Sequence, residues 1–399
     1  MSKEYTFHER APIAPLKIAA LESCRSFAES VDSAIAEFRH MDQFEMRMRG
    51  MDVPVNYDAD SYLVKCSCPR FGTGEAKGIL HESVRGTDLY VMVDITNYSL
   101  TYTVCGNVNH MSPDDHFQDL KRIISASVRN ARRVSVIMPF LYESRQHKRS
   151  SRESLDAAIA LKELVRMGVQ NIITFDAHDP RVASSIPLHG FDNFNPLYQF
   201  IRAFLDNRDD IRIDKEHVMI ISPDEGAMHR AVYFANNLGV DMGMFYKRRD
   251  YSRVIGGRNP IVAHEFLGAD VKGKTVIIID DMISSGESML DTARALKDRG
   301  ARNVIVCVAF GLFTDGLDRF DEAYSQGYFD HVITTNCTYR SPELLARPWY
   351  LEADVTRFLA DIINTLNHGS SLERLVEPTE KIQEYIRAYN ERLGLNPEG

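Results

Sequence analysis

Apolar and polar positions along the chain alternate between short buried runs and longer helical periods, and one stretch shows this most clearly. The β-branched run at residues 275–279 is typical of a buried parallel strand, and Asp280 and Asp281 follow it directly. A loop of small residues comes next, and a helical period then runs to Gly300. The pattern predicts a strand, two acids at its carboxyl end, a hydroxyl-rich loop and a helix.

The same alternation of strand-length runs and helical periods extends through the chain, which is typical of an α/β fold with parallel sheets. The predicted strands are residues 16–21, 89–93, 134–138, 171–175, 218–221, 240–246, 303–310 and 331–335. The predicted helices are residues 24–38, 117–129, 155–167, 353–366 and 378–393, one from Ser222 to near Asn237, and one in the segment up to Gly327.

Three segments do not follow the alternation. Residues 39–62 are rich in Met and charge and receive no assigned structure. Residues 97–113 are polar and predict a loop, and residues 250–270 predict a mobile flap. Residues 164–173 parallel residues 296–305 in helix end, glycine and strand start, which indicates two similar halves, although βαβ units also converge on such a pattern.

Composition narrows the class of protein. The 399 residues are 44% hydrophobic and 26% charged, as in an ordinary globular protein of two or three domains. The net charge of −9 argues against a nucleic-acid surface. Six irregularly spaced cysteines favour a reducing compartment, and no apolar stretch approaches the ~20 residues of a membrane helix. We therefore predict a cytoplasmic protein that binds neither nucleic acid nor membrane.

The loop between the strand at residues 275–279 and its helix suits a phosphate monoester. A tight turn into a helix directs backbone N–H groups at one point, and Ser284, Ser285 and Ser288 add hydroxyl donors. Asp280 and Asp281 repel phosphate, so we predict that they accept hydrogen bonds from sugar hydroxyls. The alternative is an ordinary βα turn capped by Ser288, but two adjacent acids before the loop favour a ribose-phosphate site.

Residues 276–288 resemble the ribose-phosphate motif of the type I phosphoribosyltransferase fold. Neighbouring segments, from about residue 16 to about residue 372, resemble the ribose-phosphate diphosphokinases, or PRPP synthetases. The family usually has Asp-Thr-Gly-Gly-Thr in the loop, so Glu287 adds a carboxylate and Ser284 replaces an acid that contacts ribose. The resemblance implies that the ribose 5-phosphate site is formed by Asp280, Asp281, Ser284, Ser285, Gly286, Glu287 and Ser288.

The resemblance also implies the domain organisation. It predicts two similar, open, mainly parallel-sheet domains of the phosphoribosyltransferase type. Residues 14–195 form a nucleotide-binding half, residues 196–345 a ribose-phosphate-binding half, and residues 346–399 the C-terminal helices and an extension, with the last helix interpreted as an assembly element.

A glycine-containing segment, residues 69–75, resembles the nucleotide loop of the family, which implies ATP contacts from Phe71, Thr73, Gly74 and Glu75. Phe71 can stack on adenine and Glu75 can accept from the exocyclic amine, whereas Thr73 replaces an acid. Without the resemblance, a plain glycine turn explains the segment equally well.

The basic segment at residues 142–152 follows a predicted strand end. Arg grips phosphate in bidentate fashion, and the resemblance implies that Arg145 and Gln146 bind the nucleotide. The alternative is a solvated basic loop.

Further candidates follow other strand ends. The resemblance implies that His178 and Asp224 are metal ligands, while a structural histidine and an acid near a helix N-terminus are the alternatives. Lys247 and Arg249 follow the strand at residues 240–246 and are implied to be catalytic, neutralising charge on the transferred group. All these loops are expected at one carboxyl edge of open sheets, in a single mouth.

The activity implied by the resemblance is transfer of the diphosphate of ATP to the C1 hydroxyl of ribose 5-phosphate, giving PRPP and AMP, with Mg²⁺ as cofactor. It also implies a homo-oligomer in which Phe71 and Glu75 reach a neighbour's site. Two alternatives stay open. One is a phosphoribosyltransferase that consumes PRPP, against which the nucleotide loop argues. The other is a catalytically silent regulatory or ligand-binding paralogue. The changes at Thr73, Ser284 and Glu287 make it credible. The presence of Lys247, Arg249 and His178 argues against it.

Overall fold

The computed structural model describes residues 7–249 and 261–394, without the side chains of residues 247–249 and 261–264. The chain divides into two compact units, each made from more than one stretch of sequence. The first contains the chain up to Asn195, Asn336–Tyr339 and Asp354–Val376; the second contains Pro196–Thr335, Arg340–Ala353 and the chain from Glu377. Segment 346–399 thus supplies residues to both units.

Strands and helices alternate along most of the described chain. Up to Asn195 they are β1 (Leu16–Ala20), α1 (Arg25–Met48), β2 (Leu63–Val64), β3 (Cys66–Ser67), β4 (Ile79–Leu80), β5 (Asp88–Met92), β6 (Thr101–Val104), β7 (Asn107–His110), α2 (Pro113–Ser127), β8 (Arg133–Ile137), α3 (Asp156–Arg166), β9 (Asn171–Phe175) and β10 (Gly190–Phe194). Beyond it they are α4 (Leu197–Asp206), β11 (Val218–Ser222), α5 (Met228–Leu238), β12 (Asp241–Arg249), β13 (Ile261–Leu267), β14 (Thr275–Ile283), α6 (Glu287–Asp298), β15 (Asn303–Gly311), α7 (Asp318–Ser325), β16 (His331–Thr335), α8 (Pro342–Leu345), β17 (Tyr350–Ala353), α9 (Thr356–Asn367), α10 (Glu373–Val376) and α11 (Thr379–Arg392).

Each unit is built on one large sheet. In the first unit six parallel strands run in the order β10-β9-β8-β5-β1-β2. In the second, seven strands run in the order β13-β12-β11-β14-β15-β16-β17, parallel except for β13. Nearly all residues of β5, β11 and β15 are buried, as expected for parallel strands covered on both faces. The predicted α/β fold with two mainly parallel sheets is confirmed.

β14 is longer than the sequence pattern predicts. Met282 and Ile283 still pair with Phe310 and Gly311 of β15, so the strand continues past the two acids. Asp280 and Asp281 therefore lie inside the strand, just before its carboxyl end, and the prediction that they mark this end is wrong by two residues.

The prediction of a loop at residues 97–113 is also wrong. β6 and β7 form an antiparallel hairpin in which Thr101 pairs with His110 and Val104 with Asn107. Cys105 and Gly106 form its turn, both at positive φ. Side chains of both strands are exposed or half-buried, so the hairpin lacks the apolar alternation by which a strand is recognised in sequence.

The other differences concern ends and polar segments. α1 continues into the unassigned segment and ends at Met48. In this continuation the buried Arg39 donates to Asn364 (3.0 Å) and Asn367 (2.6 Å) of α9. β13 occupies part of the predicted flap, and residues 250–260 lie outside the described residues. α5 begins later than predicted, α7 and α9 are shorter at their starts, and β10, α4 and β17 were not predicted.

The final helix packs within its own unit. Ile382, Ile386 and Tyr389 of α11 are buried in the same apolar core as side chains of α4 and α5. The Tyr389 hydroxyl also donates to the Arg208 carbonyl at 2.9 Å. α11 therefore closes the core of the second unit. Among the helices that the structure describes, none is long and apolar enough to cross a membrane.

Candidate functional site

The hydroxyl-rich loop at residues 284–286 connects β14 to α6 in the second unit. Gly286 is the N-cap of α6 and has a φ of +82°, a left-handed conformation that glycine adopts without strain. Ser284 and Ser285 are half-buried, whereas Glu287 and Ser288, in the first turn of α6, are exposed. The turn therefore leads directly into the first backbone N–H groups of α6, which have no partner within the helix and are the groups that bind an anion at a helix N-terminus.

Ser288 is not the N-cap of α6, so the alternative of an ordinary βα turn capped by Ser288 is wrong. Its carbonyl accepts a hydrogen bond from the Thr292 hydroxyl at 2.8 Å, and the cap is Gly286, which has no side chain. The hydroxyl of Ser288 is exposed at the loop. The Ser288 side chain is thus available to a ligand.

An aromatic cluster supports the loop from below. A β-carbon at Gly286 would lie far inside van der Waals contact with the Phe320 ring. Phe320 in turn stacks on Trp349, with ring centroids 5.7 Å apart, and meets Phe313 edge-on at 5.0 Å. All three aromatic side chains are buried. The position of the loop therefore depends on a rigid part of the core.

The two acids of β14 form a crowded carboxylate pair. The backbone N–H of Asp281 donates to Asp280 Oδ1 at 2.8 Å, and Asp281 is buried. Burial raises the pKa of Asp280 well above its ordinary value, and the carboxylates of Asp281 and Asp224 raise it further, while Arg230 opposes this shift. Such a site gains stability from groups that donate hydrogen bonds or carry positive charge.

Asp224 lies in the turn between β11 and α5. One of its oxygens, Oδ1, accepts from the backbone N–H groups of Gly226 (2.8 Å) and Ala227 (3.3 Å). This turn delays the start of α5 to Met228, which explains why the predicted helix start was too early. The Asp224 side chain is half-buried, and its field reaches Asp280. The structure therefore places Asp224, Asp280 and Asp281 in one acidic region of the second unit.

The predicted catalytic cations lie at the carboxyl end of β12. The backbones of Lys247 and Arg249 pair with His264 and Ile261 of β13, across a register shift between Arg248 and Arg249. Their side chains lie outside what the structure describes. Their catalytic roles stay predictions.

The predicted nucleotide loop in the first unit is a tight turn. Phe71 N–H donates to the Glu75 carbonyl at 2.6 Å and Gly74 N–H to the Phe71 carbonyl at 2.9 Å. Phe71 is 52% exposed, so a ligand can reach its side chain. The Thr73 hydroxyl donates to Glu75 Oε2 at 3.0 Å, so the threonine that replaces an acid here orients Glu75.

The hairpin that the sequence pattern missed packs beside this loop. A β-carbon at Gly74, which has a φ of +92°, would lie 2.9 Å from Val104 of β6. The guanidinium of Arg70 lies over the Tyr102 ring at 4.9 Å. A cleft of about 470 Å³ is lined by Arg70, Thr73, Gly74, Glu75, Tyr102, Val104, Asn109, Asp115, Gln118 and Arg122. The sequence of residues 101–110 is polar and shows no apolar alternation, so it did not identify these two strands as neighbours of the nucleotide loop.

The basic loop after β8 lies beside the loop after β9. His147 Nε2 lies 3.3 Å from Asp179 Oδ2, and the rings of His147 and His178 have centroids 5.5 Å apart. Arg145 is exposed, whereas Gln146 donates to the carbonyls of Lys148 (3.2 Å) and Ser154 (2.9 Å). Gln146 therefore holds its own loop, which favours a structural role for its side chain.

Backbone strain concentrates at these strand ends. Among the described residues, five that are not glycine have positive φ, and three of them follow strands of the two sheets: Glu143 (+58°), Asp176 (+33°) and Phe313 (+44°). Such residues cluster at functional sites in proteins. Nothing in their sequence pattern signals this strain.

The single mouth predicted from sequence combines residues of both units. Arg145, His178 and the nucleotide loop belong to the first unit, and Asp224, Lys247 and the residues from Asp280 to Ser288 to the second. Within each unit the candidates follow the carboxyl ends of parallel strands, the edge where open α/β sheets bind ligands. The combination of the two sets stays a prediction.

Within the described residues, no group of three or more His, Cys, Asp or Glu side chains is preassembled to hold a metal ion. Mg²⁺ usually keeps several waters and takes only one or two carboxylates in phosphate-handling sites. Asp224, with Oδ1 engaged by backbone N–H groups and its side chain half-buried, fits that sparse mode of binding.

Two family models match the chain in succession. The model described as the N-terminal domain of ribose phosphate pyrophosphokinase matches residues 16–168. The model described as the phosphoribosyl transferase domain matches residues 192–325, which include the loops that follow β11, β14 and β15. The domain type predicted from the motif at residues 276–288 is thereby confirmed.

Individual relatives agree with the family models. The ribose-phosphate pyrophosphokinase of Prochlorococcus marinus is 29% identical over 275 residues, which cover 67% of this chain and 73% of that protein. The one from Gloeobacter violaceus is 28% identical over 335 residues, 82% of this chain and 85% of that protein. The crystal structure of phosphoribosylpyrophosphate synthetase from Mycobacterium smegmatis has the same fold, with a TM-score of 0.65 and 20% identity over 89% of this chain and 99% of that one. From the two successive domain matches and these relatives, the chain belongs to the ribose-phosphate pyrophosphokinase family.

Proposed function

We propose that the chain transfers the diphosphate of ATP to the C1 hydroxyl of ribose 5-phosphate, forming PRPP and AMP. The observation that carries this proposal is the match of residues 16–168 to the N-terminal domain of ribose phosphate pyrophosphokinase, ahead of a phosphoribosyl transferase domain at residues 192–325. A phosphoribosyltransferase that consumes PRPP needs only a domain of the second kind. The additional domain therefore favours synthesis over consumption.

The second unit supplies the ribose 5-phosphate site in this proposal. Backbone N–H groups at Gly286 and Glu287 and the hydroxyls of Ser284, Ser285 and Ser288 bind the 5-phosphate, which the positive end of the α6 dipole also attracts. The acids of β14 accept hydrogen bonds from the ribose hydroxyls. The raised pKa of Asp280 supports this role, because hydroxyl donors relieve the crowding of its carboxylate.

The first unit supplies the nucleotide site. Phe71 stacks on adenine, and Glu75 accepts from the exocyclic amine through the oxygen that Thr73 leaves unengaged. Gly74 gives the turn its shape, because its φ of +92° excludes larger residues. Arg145, exposed in the basic loop, binds the polyphosphate, and Gln146 fixes that loop through its two carbonyl contacts.

The chemistry requires positioning and charge neutralisation and no protein nucleophile. The C1 oxygen of the sugar forms a bond to the β-phosphorus of ATP, while the bond from that phosphorus to the oxygen of the α-phosphate breaks and AMP leaves. Lys247 and Arg249, at the end of β12, neutralise the charge that develops on the transferred group. Rigid walls such as the aromatic cluster below Gly286 keep the acceptor sugar in line.

Mg²⁺ is the proposed cofactor, with ATP as co-substrate. Mg²⁺ would neutralise charge on the phosphates, and the candidate ligands are His178 in the first unit and Asp224 in the second. The field of Asp224 at Asp280 supports a demand for positive charge in this region. Titration of Mg²⁺ into the protein in the absence of ATP, followed by calorimetry, should give weaker binding for Asp224→Asn.

We further propose that the protein is a cytoplasmic homo-oligomer in which Phe71 and Glu75 reach a neighbouring subunit's site. Phe71 is exposed, so its ring is accessible to a ligand that a neighbouring subunit holds. Sedimentation of the full chain measures its mass, and a monomer at assay concentration that turns over normally would exclude this arrangement.

An assay of AMP release from ATP, ribose 5-phosphate and Mg²⁺ tests the proposed function. We expect AMP and PRPP in equal amounts, and no AMP when ribose 5-phosphate is omitted. Binding of both substrates without AMP release would support the silent paralogue. Consumption of added PRPP in the presence of a nucleobase would support a phosphoribosyltransferase.

A further inference from the structure

A second loop lies directly beside the phosphate loop of the second unit. Residues 312–316 follow β15, and two backbone hydrogen bonds tie them to the end of β14: Leu312 N–H donates to the Ile283 carbonyl at 2.8 Å and Thr314 N–H to the Ser284 carbonyl at 2.9 Å. These bonds continue the pairing of β14 and β15 beyond their last paired residues. The two loops are therefore joined by backbone hydrogen bonds.

The side chains of the two loops meet at Thr314. Its Oγ1 lies 3.5 Å from Ser284 Oγ, and Thr314 is exposed. Two hydroxyls at that separation can both donate to one oxygen atom at ordinary hydrogen-bond distance from each. The Thr314 hydroxyl otherwise has a contact of 3.4 Å with Asp315 Oδ1, a long and weak one that it can give up by rotating.

The backbone that presents Thr314 is strained and supported. Phe313 has a φ of +44°, which is rare for a bulky side chain. Its ring is buried and meets Phe320 edge-on, and Phe320 is the ring that packs against Gly286. The same aromatic cluster therefore supports both loops. Phe313 precedes Thr314 in one loop, and Phe320 packs against Gly286 in the other.

Strain of this kind is retained where the surroundings over-determine it, and it often serves binding. Phe313 could relax to an ordinary φ only by withdrawing its ring from the cluster or by moving Thr314 away from Ser284. The structure keeps both contacts instead.

We propose that Thr314 is a further binding residue for the 5-phosphate of the sugar substrate, donating its hydroxyl to a phosphate oxygen shared with Ser284. This rests on the proposed function, because it assigns the phosphate of ribose 5-phosphate to the loop at residues 284–286. It extends the site to a second loop, residues 312–316, which lies outside the motif at residues 276–288. Ser284 stands where the family usually has an acid, and the hydroxyl of Thr314 adds a second donor beside it.

Calorimetric titration with ribose 5-phosphate and with ribose tests the role of Thr314. Thr314→Val removes the donor at nearly constant volume and should raise the Kd of ribose 5-phosphate about tenfold, as loss of a hydrogen bond to a charged group implies. Thr314→Ser should restore binding to near the wild-type value. The Kd of ribose, which has no phosphate, should be the same in all three proteins.

Ser325→Ala is the matched control, because Ser325 is an exposed hydroxyl on α7 that bonds to the Glu322 carbonyl. It should leave both affinities unchanged. The emission of Trp349, the one tryptophan in the sequence, reports whether the aromatic cluster is intact in each variant. If Thr314→Val alters that emission, Thr314→Ala replaces it as the donor-free variant.

The results separate the two proposals. Wild-type affinity for ribose 5-phosphate in the donor-free variant overturns the role of Thr314 and leaves the proposed function standing. An equal loss of affinity for ribose and ribose 5-phosphate also overturns it, because the residue then acts on the sugar or on the fold. Failure of the wild-type protein to bind ribose 5-phosphate at all overturns the proposed function itself.

Discussion

The ring of Phe320 packs so closely against Gly286 that the loop has no room for a β-carbon at this position. The same glycine has a φ of +82° as the N-cap of α6. Two independent constraints, backbone conformation and packing, therefore act on one residue at the proposed phosphate site. They can be separated by substitution.

Gly286→Ala should destabilise the protein by more than the ~1–2 kcal/mol that a left-handed backbone costs an alanine, because the new methyl group also displaces Phe320. Gly327→Ala is the control, since Gly327 has a φ of +72° and nothing within 4 Å of the added carbon. Denaturant unfolding of both variants measures the difference. Equal destabilisation would mean that the loop accommodates the methyl group.

Glu287 is exposed, and we expect its carboxylate to point away from the bound phosphate. A carboxylate within a few ångströms of the phosphate would cost on the order of 1–4 kcal/mol at surface-like dielectric. Glu287→Gly and Glu287→Gln should therefore change the KM for ribose 5-phosphate only modestly. A large gain in affinity would show that the acid faces the ligand and would favour the silent paralogue.

Ser288→Ala should raise the KM for ribose 5-phosphate about tenfold, because it deletes a hydroxyl that donates to a charged group. The turn itself should persist, since Gly286 caps the helix and Ser288 contributes its carbonyl to Thr292. Steady-state kinetics with ATP held saturating measure the effect. An unchanged KM would restrict phosphate binding to the backbone and the other hydroxyls.

The raised pKa of Asp280 links stability to pH. Between the ordinary aspartate pKa and the raised folded value, the unfolded chain releases a proton that the folded chain keeps, so the free energy of unfolding falls as pH rises through this window. Asp280→Asn should raise the melting temperature at neutral pH and flatten this dependence. It should also raise the KM for ribose 5-phosphate. Asp291→Asn, at an exposed position of α6, should do neither.

Lys247→Ala and Arg249→Ala should lower kcat by about 10²–10³ while leaving the melting temperature unchanged, because both cations are expected to act on charge in the transition state. Lys215→Ala, an exposed cation before the amino end of β11, is the control and should retain normal turnover. Near-normal kcat in either of the first two variants would falsify the catalytic assignment.

Sequence pattern predicted the buried parallel strands well, because burial on both faces leaves an uninterrupted apolar run. β9 and β16 have the predicted bounds, and the ends of β1, β5, β8 and β15 differ from prediction by one residue. The sequence pattern did not predict strand segments made up mainly of polar residues. β6 and β7 are exposed on a hairpin, and Asp280 and Asp281 continue β14 because backbone pairing with β15 outweighs their poor strand propensity.

The candidate site divides in the same way. The loop at residues 284–288 was visible in sequence because a hydroxyl-rich turn between strand and helix is contiguous. Thr314 and Phe320 were not visible, because they reach the loop through tertiary contacts that no local pattern records. The strain at Phe313 was equally hidden, since nothing about a phenylalanine in sequence indicates a positive φ.

Both units are made from separated stretches of chain, and this governs how they can fold during synthesis. Arg39 of α1 is buried against Asn364 and Asn367, which leave the ribosome more than three hundred residues after it. Until then its guanidinium lacks these amide acceptors, so burying it would cost several kcal/mol. α11 reaches the core of the second unit later still. A ribosome stalled before residue 354 therefore carries two unfinished units at once, because the first still lacks Asp354–Val376 and the second still lacks the residues from Glu377 onwards.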